Sequence, residues 1–202
     1  MNAAVAEKRP LVLASGSPRR REMLAAMGFS FEVRPAELDE SPLPGEDAAA
    51  YVGRLALAKA RATAATLPGS GALVLGADTV VTLDGELLGK PQDEADARRM
   101  LRLLAGRRHQ VLTGVALLDG EREWLEVAKT EVEIAPLSEA EIAGYVASGE
   151  CRDKAGAYAV QGLGGLFVTR IDGNYSNVVG LPLPLVYRLL RAAGGPDPLG
   201  RR

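Results

Sequence analysis

The 202-residue chain has one cysteine, Cys151, and one histidine, His109. A lone thiol excludes an intrachain disulfide and fits a reducing cytoplasm. With so few cysteines and histidines, no zinc-type ligand spacing exists. A Ser-His-Asp triad would have to use His109, yet no nucleophile-elbow motif accompanies it, so a structural histidine is the plainer reading. Aromatic residues make up 4% of the chain, which is poor in the stacking platforms that single-strand nucleic-acid binders use. The formal net charge of −2 also argues against a general nucleic-acid binder, so the pairs Arg98/Arg99 and Arg107/Arg108 read as solvated surface. No apolar run approaches the ~18 residues of a membrane span. The opening MNAAVAEKRP lacks the apolar stretch of a secretory signal. No G-x-x-x-x-G-K-[ST] and no G-x-G-x-x-G between strand and helix is present, which excludes the common nucleotide-binding loops. A soluble, cytoplasmic protein is expected.

What is present is ordinary in bulk: 47% hydrophobic and 25% charged residues, as in globular domains. LVLA (11–14) reads as a buried strand, followed by a helix from Pro18 to Met27, with Ser17 as N-cap and Gly28 as stop. FSFEV (29–33) alternates as a half-buried strand does, and 35–47 is an acidic, turn-rich loop. A long Ala-rich helix is expected over 46–67 and a buried strand over 72–77. Asp84-Gly85, Asp119-Gly120 and Asp172-Gly173 each predict a tight turn after a strand, giving at least three hairpins. Helices are expected over 93–106, over 138–149 behind the capping box Ser138/Glu141, and over the stretch LPLPLVYRLLRAAGG. Helices interleaved with hairpins predict an α/β fold with a mixed sheet. The expected organisation is a flexible N-terminus (1–9), one domain of two lobes (10–193) and a frayed tail (194–202).

Several short stretches carry candidate chemistry. SGSPRRR places Arg19, Arg20 and Arg21 in the first turn of a helix, where the dipole makes cations unfavourable by roughly 0.3–1 kcal/mol each. An anionic ligand would relieve that. Asp78 follows an apolar strand, where ligands bind at carboxyl ends in open α/β sheets. A turn aspartate capping its own loop is the alternative. Lys90, between Gly89 and Pro91, and the loop carboxylates Asp39 and Glu40 could equally be solvated. The glycine-rich segment 153–165 carries Gln161, whose amide both donates and accepts; a flexible hairpin loop is its alternative. Taken together, oxygen ligands of the kind magnesium prefers and a set of cations suit metal-assisted attack on a phosphate anhydride.

ASGSPRR, GADTVV, GKP, DKAGAYAVQG and NVVGLPL, in that order, resemble the Maf family of nucleoside triphosphate pyrophosphatases, from about Leu11 to Leu190. The resemblance implies an elongated, two-lobed fold like that of inosine-triphosphate pyrophosphatases, with a central cleft. It implies hydrolysis of a nucleoside triphosphate to the monophosphate and pyrophosphate, with Mg2+ or Mn2+ as cofactor. By the same resemblance Asp78 is the catalytic base and a metal ligand, and Glu40 the second metal ligand. Ser15, Arg19, Arg20, Lys59, Thr79, Lys90 and Gln161 bind substrate. Arg19, Thr79 and Gln161 match the branch that prefers dTTP and UTP, not the one that prefers 7-methyl-GTP. Ala159 stands where many relatives have glycine, a small-for-small change. The family also implies a homodimer and a link to septum formation. A regulatory interaction protein of cell division with vestigial hydrolysis is the rival reading.

Overall fold

The computed structural model describes residues 9–120 and 122–200. Its described strands are β1 (Leu11–Leu13), β2 (Glu32–Val33), β3 (Leu73–Leu83), β4 (Glu86–Leu88), β5 (Arg108–Asp119), β6 (Arg122–Ile134) and β7 (Val168–Asp172). They form one mixed sheet in the order β2-β1-β3-β5-β6-β7, with β4 also on β3. β2, β1 and β3 run parallel, and the remaining pairs are antiparallel. The described helices are α1 (Pro18–Ala26), α2 (Ala48–Ala65), α3 (Glu94–Leu104), α4 (Glu139–Ala147), α5 (Tyr175–Val179) and α6 (Leu183–Ala192). None of them is long and apolar enough to cross a membrane.

Strand β3 organises the molecule. Residues 73–82 pair with β5 along one edge. Along the other edge β1 covers only Leu73–Leu75 and β4 only Val81–Leu83. Residues 76–80 are left without a strand neighbour on that side, and the gap opens the sheet to a cleft. A core sits on either side of it. Leu13, Leu24, Leu73, Leu117, Leu181 and Leu190 pack between the sheet, α1 and α6. Leu88, Leu101, Leu104, Val111, Ile134 and Ile142 pack under α3 and α4. Truncating one such leucine to alanine costs about 2–5 kcal/mol.

Helix α2 lies across β3 and β5 on the opposite face from α1 and α6. It comes unusually close because two strand positions carry no side chain. A Cβ at Gly76 would sit 2.2 Å from the Ala56 carbonyl oxygen, and one at Gly114 would sit 2.3 Å from that of Val52. Gly114 is the cross-strand partner of Asp78.

Several expectations are corrected. Asp78 is not at a strand end: the strand expected over 72–77 runs on to Leu83, because continuous pairing with β5 carries it past the gap. The first two Asp-Gly turns join antiparallel strands, with Asp84 and Gly85 at φ 52° and 87°. The third, Asp172-Gly173, leads instead into α5, whose Asn174 side chain caps the helix by accepting from Asn177 N. The stretch 29–33 forms only the two-residue β2. Ser17 occupies the N-cap of α1, but its side chain makes no capping bond. Residues 1–8 and 201–202 of the expected flexible ends lie outside the described residues. Arg9 donates to Gly71 O at 3.0 Å and pairs with Asp119. In the described part of the C-terminal stretch, Gly195 N donates to Leu190 O at 2.8 Å, and Tyr187 OH to Asp197 Oδ1 at 3.3 Å.

Candidate active site

The gap in the sheet opens into a cleft of about 560 Å³. All nine sequence-derived candidates line it: Ser15, Arg19, Arg20, Glu40, Lys59, Asp78, Thr79, Lys90 and Gln161. They come from α1 and the turn before it, the acidic loop, α2, β3, the β4–α3 turn and the glycine-rich segment. Asp153, Lys154 and Tyr51 join them. Five cations (Arg19, Arg20, Lys59, Lys90, Lys154) thus face three carboxylates (Glu40, Asp78, Asp153). That local balance is opposite in sign to the chain's net charge of −2. The cleft is therefore built to receive an anion.

At its floor Lys59 Nζ lies 2.6 Å from Asp78 Oδ1 and 2.6 Å from Glu40 Oε1. Lys59 sits on the buried face of α2, with Val52, Leu55, Ala56 and Thr63. The close approach at Gly76 and Gly114 brings its ammonium down to the strand. Burial, only partly offset by Lys59 and Arg20, pushes the Asp78 carboxyl above the ordinary aspartate range. Burial pushes Glu40 the same way, but Lys59, then Lys90 and Arg20, outweigh it and the net direction is down. Two neighbouring carboxylates are thus driven apart in proton affinity, the more basic one on the rigid strand.

The acidic loop is held for this purpose. Tyr51 OH donates to Glu40 O at 2.9 Å, and Arg54 grips both Ser41 O and the Glu46 carboxylate. Burial, then the charges of Asp78 and Glu40, push the Tyr51 phenol up to about 12, so it stays a donor at neutral pH. The geometry separates Asp39 from Glu40. Asp39 Oδ1 accepts from Ser41 N within its own turn, whereas Glu40 reaches Lys59.

The three arginines of α1 part company. Arg20 is buried, and four of its five guanidinium N–H donors bond the protein. Nε donates to Gly180 O, Nη1 to Ser15 Oγ and Ala77 O, and Nη2 to Thr79 Oγ1, all at 2.8–2.9 Å. Its guanidinium therefore braces the cleft wall while still lining the cleft. Thr79 is similarly engaged, bonding Thr113 Oγ1 at 2.9 Å and Gly180 O at 3.3 Å besides Arg20. It points to the face of β3 opposite Asp78, as strand alternation requires. Half-buried Arg19 reaches across the cleft to Asp153, at 3.5 Å from Oδ2 and 3.4 Å from the carbonyl oxygen. Arg21 is exposed. Ser15 Oγ accepts from Arg20 and from Ser17 N, leaving its own hydrogen to donate. Lys90 is exposed at the cleft mouth.

His109 fits its structural reading. It is buried on β5, with Nε2 2.8 Å from Tyr158 OH. Sequence reasoning passed over Asp153, Lys154, Tyr51 and Arg54; the first two stood within the DKAGAY motif that marked the loop.

A family model described as "Maf: Maf-like protein" matches residues 10–193. The chain is 56% identical over 193 residues to a "dTTP/UTP pyrophosphatase" of Anaeromyxobacter sp. (strain Fw109-5), covering 93% of this chain and 91% of that one. It is 53% identical to one of the same name from Myxococcus xanthus (strain DK1622), covering 96% and 97%. For one from Koribacter versatilis (strain Ellin345) the identity is 50%, covering 91% and 94%. A more distant structural likeness, TM-score 0.41 at 16% identity, is to a nucleoside-triphosphatase / dITP/XTP pyrophosphatase from Mycobacterium abscessus, covering 91% of this chain and 93% of that one. With its match running from the strand before the arginine helix to the end of α6, the chain belongs to the Maf-like protein family.

Proposed function

We propose that this cleft hydrolyses dTTP and UTP to the monophosphate and pyrophosphate. The observation that carries the reading is the meeting of Asp78 and Glu40 on Lys59 inside a cation-lined cleft, in a chain whose 50–56% identical relatives carry that activity in their names. Water attacks the α-phosphorus, its proton passes to the Asp78 carboxylate, and the bond from the α-phosphorus to the bridging oxygen breaks. That oxygen leaves with pyrophosphate. A base raised above the usual aspartate range and fixed on a strand suits this step, worth about 10²–10⁴-fold. Lys59, Lys90 and Lys154 supply the positive charge that offsets the triphosphate. Gln161 and Arg19 remain available to the base edge, while Arg20 and Thr79 support the wall behind them.

The donor set fits a divalent cation that the substrate helps to bind. No group of three His, Cys, Asp or Glu side chains among the described residues forms a cage. Asp78 and Glu40 both bind the Lys59 ammonium, so the two carboxylates are close neighbours; a pair of carboxylates completed by phosphate oxygens and water is how magnesium is held at phosphate sites. Asp78 and Glu40 would hold Mg2+ or Mn2+, which would neutralise charge developing on the phosphate oxygens.

The test is a pyrophosphate-release screen over natural triphosphates and 7-methyl-GTP, with and without Mg2+ or Mn2+. Preferential metal-dependent release from dTTP and UTP is expected. Selective hydrolysis of 7-methyl-GTP would overturn the pyrimidine assignment. No hydrolysis of any nucleotide would favour the interaction-protein reading.

A further inference from the structure

The loop that carries Gln161 is held from behind by two residues outside the cleft. Tyr145, buried on α4, accepts from Ala159 N at 3.0 Å and donates to Glu150 Oε1 at 2.9 Å. Glu150 also accepts from Gly164 N at 3.0 Å and, through Oε2, from Leu163 N at 2.9 Å. One tyrosine and one carboxylate therefore grip the chain on both sides of Gln161. Tyr158, next to Ala159, is tied separately to His109.

The fit is close enough to dictate residue type. A Cβ at Gly162 would lie 2.0 Å from Glu150 Oε2, and one at Gly164 would lie 2.8 Å from Tyr145 OH. These glycines let the carboxylate come up under the turn. Tyr145 is itself set by an edge-on contact with Phe167, ring centroids 5.4 Å apart. The Gln161 amide makes no hydrogen bond to any described residue; it is exposed and lines the cleft. The chain is thus clamped at 159 and at 163–164, with the side chain between them presented outward.

We propose that Glu150 and Tyr145 are positioning residues for base selection, holding the 159–164 turn so that the Gln161 amide meets uracil or thymine and not cytosine. This rests on the proposed pyrimidine-nucleotide activity. An amide is a weak discriminator when it can move. Turned one way, it pairs with the N–H and carbonyl of uracil. Turned over, it pairs with the ring nitrogen and amino group of cytosine. Selectivity therefore comes from where the amide is held relative to fixed donors such as Arg19. A site with set polar positions rejects the wrong base because groups are left unpaired; a site that can shift does not. Glu150 is suited to the task, since bonds to an ionised acceptor are about twice as strong as neutral ones.

The experiment measures kcat/KM of pyrophosphate release from UTP and from CTP for wild type, Glu150→Gln, Tyr145→Phe, Gln161→Ala and Glu150→Gln/Gln161→Ala. Glu150→Gln keeps shape but sets an amide N–H against a backbone N–H. It is expected to lower the UTP:CTP ratio about tenfold through KM, with kcat on saturating UTP changing less than about threefold. Tyr145→Phe moves the ratio the same way, and carries the test if circular dichroism shows Glu150→Gln unfolded. In the Gln161→Ala background Glu150→Gln adds nothing, because the positioned group is gone. An unchanged ratio in the folded variants, an equal loss of kcat on every nucleotide, or a further drop in the double variant overturns the proposal. If wild type itself does not prefer UTP to CTP, the dTTP/UTP assignment fails first, and the wild-type arm identifies that case.

Discussion

Gly76 and Ala56 meet at backbone distance: the space a Cβ on Gly76 would fill is taken by the Ala56 carbonyl oxygen, 2.2 Å away. Two residues beyond Gly76 stands Asp78, and three beyond Ala56 stands Lys59. The ion pair between them exists because helix and strand touch here without a side chain between.

Gly76→Ala should therefore act on stability and chemistry together. The added methyl must push α2 away, an overpacking cost of typically about 1–3 kcal/mol. It should also lengthen the Lys59–Asp78 contact and slow turnover. Thermal melting and pyrophosphate release measure the two effects; a variant of wild-type activity would show that the close approach does not set the site.

Asp78→Asn should keep the fold and lose turnover by about 10²–10⁴-fold. The fold expectation comes from the sign of the titration. Burial raises the folded pKa of Asp78, so stability falls as pH rises through the interval between its unfolded and folded values, and the ionised form weighs against folding at neutral pH. A neutral amide removes that cost, and Lys59 keeps Glu40 as partner. Near-normal pyrophosphate release by the folded variant would remove Asp78 from the reaction.

The three neighbouring arginines should respond differently to lysine. Arg20→Lys leaves acceptors among Gly180 O, Ser15 Oγ, Ala77 O and Thr79 Oγ1 unmatched, a loss of about 2–4 kcal/mol. Arg21→Lys, on exposed surface, should stay within about 0.5 kcal/mol of wild type. Arg19→Lys should raise KM with little change in melting temperature. Equal denaturation midpoints for all three would refute the bracing role of Arg20.

His109 should impose a pH dependence on stability. Burial pushes its pKa from 6.5 down to about 4. Between those values the unfolded chain takes up a proton that the folded protein refuses, so stability falls as pH falls. The loss from this group is about 3 kcal/mol between pH 6.5 and 4. His109→Gln removes a titrating group and should flatten urea midpoints over that range. An unchanged slope would locate the acid sensitivity elsewhere.

Much of the fold was legible in the sequence. Helices α1 to α4 and α6 form where their start and stop signals place them, and two Asp-Gly pairs turn their hairpins where expected. The third Asp-Gly pair shows the limit: the dipeptide marks a turn but does not specify the next element, and here Asn174 caps a helix. Asp78 was legible as an acid after an apolar run, yet its place mid-strand depends on β5, a partner more than thirty residues away. Glu150 gave no local signal, because its backbone partners lie 13 and 14 residues downstream.

Composition, periodicity and turn signals were enough to specify a mixed α/β fold, and the resemblance of five ordered motifs pointed to the family and to the kinds of groups in its cleft. These are local properties, written in propensity, turn chemistry and residue type. How three adjacent arginines divide between cleft wall, cleft mouth and surface was not among them. Arg20 is committed by Gly180, 160 positions away, and Ala77, 57 away. Such assignments depend on which backbone acceptors the packed chain brings to one point. Burial then sets the outcome, because a guanidinium out of water must satisfy its donors where it lies.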